Sequence, residues 1–116
     1  MKNIIFFMAI TFITFNAKAN SNPNIITDTL HVDGNCNMCK ERIENAAYIK
    51  GVKKVDWDKH QQVLVVTYDK TKTSKSKILE AVAKAGHDNE MFKAPDDVYN
   101  RLPKCCNYRS NDAHIH

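Results

Sequence analysis

The sequence predicts an α+β domain in which two helices cover one face of a four-stranded antiparallel sheet. Three observations support this fold class. Residues 27–32 alternate between polar and apolar, residues 52–68 hold two strand-forming segments around a polar turn, and a segment of helical periodicity follows each of these units. The resulting order, strand–helix–strand–strand–helix–strand, is the split βαβ or ferredoxin-like arrangement. We expect this unit to span residues 26–94.

The first strand and the first helix are separated by a turn that holds two of the four cysteines. Residues 27–32 alternate between two faces, and Gly34 then interrupts the strand. Apolar residues recur at helical spacing across residues 39–50, and Gly51 ends the predicted helix. The first cysteine pair is therefore expected at a strand-to-helix junction.

A hairpin and a second helix follow. Residues 52–57 and 63–68 are rich in strand-forming residues, although both faces of the second strand are apolar, so the pattern does not say which face is buried. Thr73 or Ser74 is the expected cap of the second helix, and Gly86 closes it.

The fourth strand and a C-terminal tail complete the chain. Residues 88–94 are predicted to form an edge strand, and residues 95–116 are predicted to lie outside the domain. In this tail Asp96 to Leu102 is expected to form a short helix, followed by a loop that holds Cys105 and Cys106.

The first 19 residues are predicted to be an export signal rather than part of the fold. Lys2 supplies a positive start, residues 4–15 form an apolar run, and residues 17–19 have the small-x-small pattern of a cleavage site. The run is too short for a permanent membrane span, so we expect no stable membrane insertion of the mature chain. Residues 20–25 are expected to be a flexible leader. The protein is therefore predicted to be secreted across the inner membrane into the periplasm.

Charge and motif content exclude several functions. Of the 17 lysines and arginines, two fall in the predicted signal, which leaves 15 basic residues against 13 acidic ones in the mature chain. Scattered lysines at this balance give no electrostatic footprint for nucleic acid. No Ser/His/Asp set, phosphate loop or pair of carboxylates stands out, so the sequence indicates a protein that is not an enzyme.

Cys36 and Cys39 carry the strongest chemical signal. The N-terminus of a helix presents unpaired N–H groups and a positive dipole end, which favour thiolate over thiol. Two soft sulfur ligands without a nearby carboxylate favour copper(I) or another thiophilic ion over magnesium or calcium. A closed structural zinc site needs four ligands, whereas the local sequence supplies two.

This sequence resembles the heavy-metal-associated domain family, which includes small copper chaperones, the N-terminal modules of metal-pumping ATPases and the periplasmic mercury-binding protein. The resemblance covers roughly residues 26–91. It is carried by Val32-Asp33-Gly34-Asn35-Cys36-Asn37-Met38-Cys39, Ile43, the Gly51-Val52 step, residues 63–69 and Ala85-Gly86-His87. The family usually has a methionine two residues before the first cysteine, where this chain has Gly34 and instead carries Met38 between its cysteines.

The resemblance implies that Cys36 and Cys39 bind the metal through sulfur and pass it on by ligand exchange. The function that the resemblance implies is that of a copper(I) chaperone or a metal scavenger. Mercury, silver, zinc and cadmium are the alternative thiophilic ions. The implied partner is a metal-exporting ATPase or another efflux component that docks transiently. The implied assembly is a monomer or a weak, metal-bridged dimer.

Five further residues are candidate ligands. In the family, the residue after the glycine that closes the second helix approaches the cysteine loop, and in this chain that residue is His87. Three roles are open for His87: a third metal ligand, a group that tunes the thiolate charge, or an exposed loop histidine. Cys105 and Cys106 are candidates for extra metal thiolates, for redox protection of the first pair, or for a disulfide. His114 and His116 are candidates for a divalent ion or for a solvated terminus.

Two other classes of protein remain open. A periplasmic thiol-disulfide redox protein also carries a Cys-x-x-Cys at a helix start, but this chain lacks the length and strand order of a thioredoxin-like domain. The second alternative is an interaction module stapled by disulfides, since the cysteines of a short exported chain commonly pair.

Overall fold

A computed structural model of the chain describes residues 22–110 and residue 115. The predicted export signal, His114 and His116 lie outside the described residues. The elements in order are β1 (Ile25–His31), α1 (Asn37–Ala47), β2 (Val52–Asp58), β3 (Val63–Asp69), α2 (Lys75–Lys84), α3 (Asp96–Asn100) and a 3₁₀ helix (Lys104–Cys106). Among these elements, no helix has both the length and the hydrophobicity needed to cross a membrane.

The three strands form one antiparallel sheet in the order β1-β3-β2. Strand β3 is central, and its Leu64 pairs with Leu30 of β1 and with Trp57 of β2. Leu64, Val66 and Tyr68 are buried, whereas Val65 between them is exposed. Because side chains alternate along a strand, the face with Leu64 is the one that packs on the core. The sequence pattern did not say which face of β3 is buried, and the packing of this face on the core answers that question.

The α+β class is confirmed, but the described residues form three strands rather than the predicted four. A single bridge between Val32 and Asn89 stands where the edge strand was expected. Asn89 instead closes a turn, because its Oδ1 accepts hydrogen bonds from the backbone N–H groups of Met91 and Phe92 at 3.1 and 3.0 Å. An asparagine that binds nearby backbone donors in this way competes with strand pairing.

Helix α1 begins two residues before the predicted start. Cys36 is its N-cap, and the Cys36 sulfur accepts a hydrogen bond from the Cys39 N–H. The helix ends at Ala47 rather than at Gly51. Gly51 has a φ of +96° and lies in the turn closed by a bond from the Val52 N–H to a carbonyl three residues earlier. A positive φ favours glycine there, so Gly51 belongs to the turn that leads into β2 and does not end α1.

Helix α2 has the predicted ends. Ser74 is the N-cap, and its side chain accepts a hydrogen bond from the Lys77 N–H at 3.2 Å. At the other end Gly86 has a φ of +114°. The Gly86 N–H donates to the Ala83 carbonyl and the His87 N–H donates to the Val82 carbonyl, which is the Schellman arrangement. This cap fixes the direction in which the chain leaves α2.

The core lies between the two long helices and the inner face of the sheet. Its fully buried side chains include Leu30, Val32, Ile43, Leu64, Val66, Ile78, Leu79 and Val82. Trp57 is buried with them and donates its indole N–H to the Val32 carbonyl at 3.0 Å. A buried indole needs such a partner, so this bond ties β2 to the end of β1.

The C-terminal segment packs against the domain. Arg109 donates from Nε and Nη2 to the two carboxylate oxygens of Asp88, at 2.8 and 2.6 Å. Tyr108 stacks on His87 with ring centroids 5.3 Å apart. The stretch expected to be a loop around Cys105 contains the 3₁₀ helix, and α3 ends at Asn100, two residues earlier than predicted. These contacts carry the second cysteine pair to the N-terminus of α1.

Candidate metal centre

Three cysteine sulfurs meet where the turn after β1 enters α1. The Cys36 Sγ lies 3.2 Å from the Cys39 Sγ and 3.3 Å from the Cys106 Sγ. All three sulfurs lie within 4.8 Å of one another, and the three residues are 4%, 0% and 0% exposed. We call them the inner cluster. Within residues 22–110, it is the one group of three cysteine, histidine or carboxylate side chains close enough to share an ion.

The cap position of Cys36 activates one sulfur of the inner cluster. Burial raises the pKa of Cys36, but hydrogen bonds from the side chain and backbone of Cys39 and from Cys106 outweigh it and hold the pKa below the ordinary value of 9.0. Burial is the largest effect on Cys39 and raises its pKa. The inner cluster therefore ionises first at Cys36, the sulfur that touches both of the others.

Cys106 brings a third sulfur and a cationic neighbour. Burial raises the pKa of Cys106 to about 12, against the opposing effect of a hydrogen bond from Arg42. The Arg42 Nη1 donates to the Cys106 Sγ at 3.2 Å. Without a metal this thiol stays protonated at neutral pH. A bound cation would take the place of the proton, and Arg42 would offset part of the thiolate charge.

The adjacent residue Cys105 lies outside the inner cluster. It is half-buried, and its Sγ lies 3.4 Å from the Met38 Sδ and 3.9 Å from the Cys106 Sγ. Met38 lies between Cys36 and Cys39 in sequence and is 50% exposed. One cysteine of the pair therefore enters the inner cluster, while the other remains at the surface beside a thioether.

His87 is buried beneath the cysteine turn and is not part of the inner cluster. Its Nδ1 lies 2.8 Å from the Asp33 carbonyl oxygen, and Tyr108 covers its ring. Burial lowers the pKa of His87 to about 4, so the imidazole is neutral at neutral pH. The alternative that His87 is an exposed loop histidine is therefore wrong. The observed contact supports the turn that precedes the cysteines.

Gly34 and Asn35, the two residues before Cys36, shape this turn. Asn35 is buried, and its Oδ1 accepts from the Cys39 Sγ at 3.4 Å. A Cβ on Gly34 would lie 2.8 Å from the Cη2 of Trp57 and 3.1 Å from the Cys39 Cβ. The ring of Trp57 therefore fills the space that a side chain at position 34 would need, which accounts for glycine where the family usually has methionine.

Arg42 was missed, although its spacing carried a signal. It follows Cys39 by three residues on α1, and residues three apart lie on one face of a helix. Cys106 was named as a candidate thiolate, but the sequence did not indicate its contact with Cys36, because that contact joins residues 70 positions apart. All four cysteines are free thiols in this structure, so it does not contain the disulfide-stapled arrangement.

Three buried thiols gathered at a helix N-terminus form a ligand set suited to soft metal ions, and the fold and site together define a soft-metal-binding domain. The chain is a member of the heavy-metal-associated domain family, whose sequence profile matches residues 29–88. This match confirms the resemblance drawn from the motifs. Cys105 and Cys106 lie outside the matched residues.

Solved structures of metal-binding proteins share the fold. A structure of the CopZ metallochaperone is 30% identical, with a TM-score of 0.53, and the match covers 55% of this chain and 98% of that one. Oxidized MerP from Ralstonia metallidurans CH34 is 37% identical, with a TM-score of 0.54 and coverage of 57% and 94%. A copper-ion-binding protein from Bacillus anthracis str. Ames is 25% identical, with a TM-score of 0.54 and coverage of 57% and 96%. No curated protein matches the chain significantly.

Proposed function

We propose that this protein is an exported copper(I) chaperone or scavenger that holds the ion at Cys36, Cys39 and Cys106. The inner cluster carries the proposal: three soft sulfurs within 4.8 Å of one another, in a domain of a metal-binding family. Thiolate ligands select copper(I) over hard cations. The protein binds and transfers the ion rather than catalysing a reaction.

Copper(I) titration against a colorimetric chelator tests this function. The fully reduced protein should take up one ion, and Cys36→Ser should abolish uptake, because Cys36 contacts both other sulfurs of the inner cluster. Cys106→Ser should weaken binding about tenfold, or ~1.4 kcal/mol. Cys105→Ser is the matched control, since it removes the neighbouring thiol outside the inner cluster. Absence of uptake by the reduced wild-type protein would refute the proposal.

Mercury(II) is a second candidate cargo, and the charge of the site favours it. Arg42 supplies one positive charge next to the Cys106 sulfur. Three thiolates around copper(I) carry a net charge of −2, whereas three thiolates around mercury(II) carry −1, which one guanidinium offsets. Metal analysis of protein isolated from cells grown with both ions would separate the two.

A redox role has less support from the geometry. A thiol-disulfide oxidoreductase must expose its attacking sulfur to another protein's disulfide. Here Cys36 and Cys39 are buried. We expect no turnover of insulin disulfides by the reduced protein, and turnover without competition for copper would favour the redox function instead.

Export and docking complete the proposal. Residues 1–19 have the sequence of an export signal, so the mature protein should begin at Asn20 and be recovered from the periplasm. N-terminal sequencing after fractionation tests this. We propose that the loaded protein, as a monomer or a weak metal-bridged dimer, docks transiently on a metal-exporting ATPase or efflux component. Copper transfer to the isolated metal-binding module of such an exporter tests that step.

A further inference from the structure

The five sulfurs of the site form a continuous line from the surface to the interior. Starting at the Met38 Sδ, the line passes through the Sγ atoms of Cys105, Cys106, Cys36 and Cys39. The successive distances are 3.4, 3.9, 3.3 and 3.2 Å. No separation exceeds 3.9 Å, so an ion bound at one sulfur is near the next.

Exposure is higher at the outer end of this line than in the inner cluster. Met38 is 50% exposed and Cys105 is half-buried, whereas the inner cluster is closed from solvent. An ion in solution or on a partner therefore meets Met38 and Cys105 first. We call these two residues the outer pair.

Packing explains only part of the outer pair. Cys105 is partly buried against the core, whereas Met38 is 50% exposed and leaves much of its apolar surface in solvent. Yet the two sulfurs come from segments 67 positions apart and lie 3.4 Å from each other. A thioether and a thiol together form a weak, soft binding site.

We propose that Met38 and Cys105 form an entry and exit site for the thiophilic ion, which moves between them and the inner cluster by stepwise exchange of sulfur ligands. This inference rests on the proposed metal-binding function and adds a second site to it.

The exchange conserves charge and needs no redox partner. As the ion moves inward, a bond to the next sulfur forms before a bond to the previous one breaks. Each cysteine that binds the ion releases its proton to water, and each cysteine that the ion leaves takes a proton back. Methionine carries no proton at all, so the first contact forms without deprotonation. The oxidation state of the ion does not change.

Rates of copper(I) exchange distinguish an entry site from a ligand of the final complex. The measurement is stopped-flow transfer of copper(I) between the full-length mature protein and bicinchoninate, in both directions. The variants are Met38→Leu, which keeps the side-chain volume, and Cys105→Ser. Met91→Leu is the matched control, because Met91 is also solvent-exposed, at 47%, and belongs to neither sulfur group.

We expect both variants of the outer pair to slow capture and release by a similar factor of about ten, with the equilibrium partition of copper unchanged within about twofold. The Met91 variant should match the wild type. Unchanged rates in both variants would overturn the entry site, as would a loss of affinity with a normal capture rate. Failure of the wild type to bind copper would instead overturn the proposed function and this inference with it.

Discussion

Replacement of Arg109 by alanine should release the C-terminal segment and uncover Cys106. Arg109 makes two charged hydrogen bonds to Asp88, at 2.8 and 2.6 Å, and a third to the Ala94 carbonyl at 2.8 Å. A fully buried ion pair costs about 3–5 kcal/mol to break by removing one partner. The Arg109 and Asp88 side chains are 20% and 19% exposed, so solvent reduces the loss to about 2–3 kcal/mol.

That free energy sets the size of the measurable effect. A change of about 2–3 kcal/mol raises the population of the released segment roughly 30- to 150-fold. Because Cys106 is buried, maleimide should reach it only in the released state, so its alkylation rate in the reduced, metal-free protein should rise by the same factor. Peptide mass spectrometry assigns the alkylated cysteine, and circular dichroism checks that the domain stays folded.

A control and an intermediate variant sharpen this test. Arg101→Ala removes a pair with Asp97 at 3.7 Å, in which both side chains are more than 70% exposed, so the rate should change less than about twofold. Arg109→Lys keeps the charge but not the two-pronged contact, and should fall between alanine and wild type. If Cys106 reacts at the wild-type rate in folded Arg109→Ala protein, the Asp88 contact does not hold the segment and the reasoning fails.

Three further predictions follow from the contacts around the site. Gly34→Ala should lower the free energy of unfolding by about 1–3 kcal/mol, because the new methyl group would lie 2.8 Å from the Trp57 ring. Thermal unfolding measures the loss, and the fluorescence of the single tryptophan reports displacement of its ring. Burial raises the pKa of Asp88, but the hydrogen bonds from Arg109 outweigh it and hold this pKa below 3.8. The ionised Asp88 therefore stabilises the folded state above pH 3.8, and this stabilisation is lost as the pH falls through the folded-state pKa. Asp88→Asn should make the free energy of unfolding, measured with urea, less dependent on pH in this acid range. Cys36 should lose its proton at a lower pH than Cys39, because their pKa values shift in opposite directions; NMR of the cysteine Cβ chemical shifts against pH measures this in the folded protein without a reagent.

Local signals predicted most of the fold. The period of two in β1, the capping serine of α2 and the glycine that closes α2 each reflect contacts within a few residues. The missing fourth strand shows the limit of such signals. The prediction of a strand over residues 88–94 relied on Met91 and Phe92, but the side chain of Asn89 accepts the backbone N–H groups of these two residues, which a strand would use. Composition alone does not reveal that competition.

The candidate site also contains one part that local sequence predicts and one part that depends on long-range contacts. The Cys-x-x-Cys turn and its place before a helix are local, so the sequence predicted Cys36 and Cys39 as neighbours of a helix N-terminus. We expect the approach of Cys106 to depend on the pairing of Arg109 with Asp88, which are 21 positions apart in segments of no regular periodicity. Two adjacent cysteines gave no reason to expect that one would be buried and the other would face Met38.

The docked tail links metal retention to a folding equilibrium. If Cys106 binds the ion, the protein must hold its C-terminal segment closed to present all three sulfurs, and the apparent affinity is reduced by the fraction of molecules that are open. A partner that displaces the segment would remove one ligand and leave the two-cysteine site that the matched domain contains. The strength of the Arg109–Asp88 contact then sets the balance between storing the ion and releasing it. Arg109→Ala should therefore speed copper transfer to an acceptor while lowering affinity, whereas loss of Met38 or Cys105 should slow transfer without changing affinity.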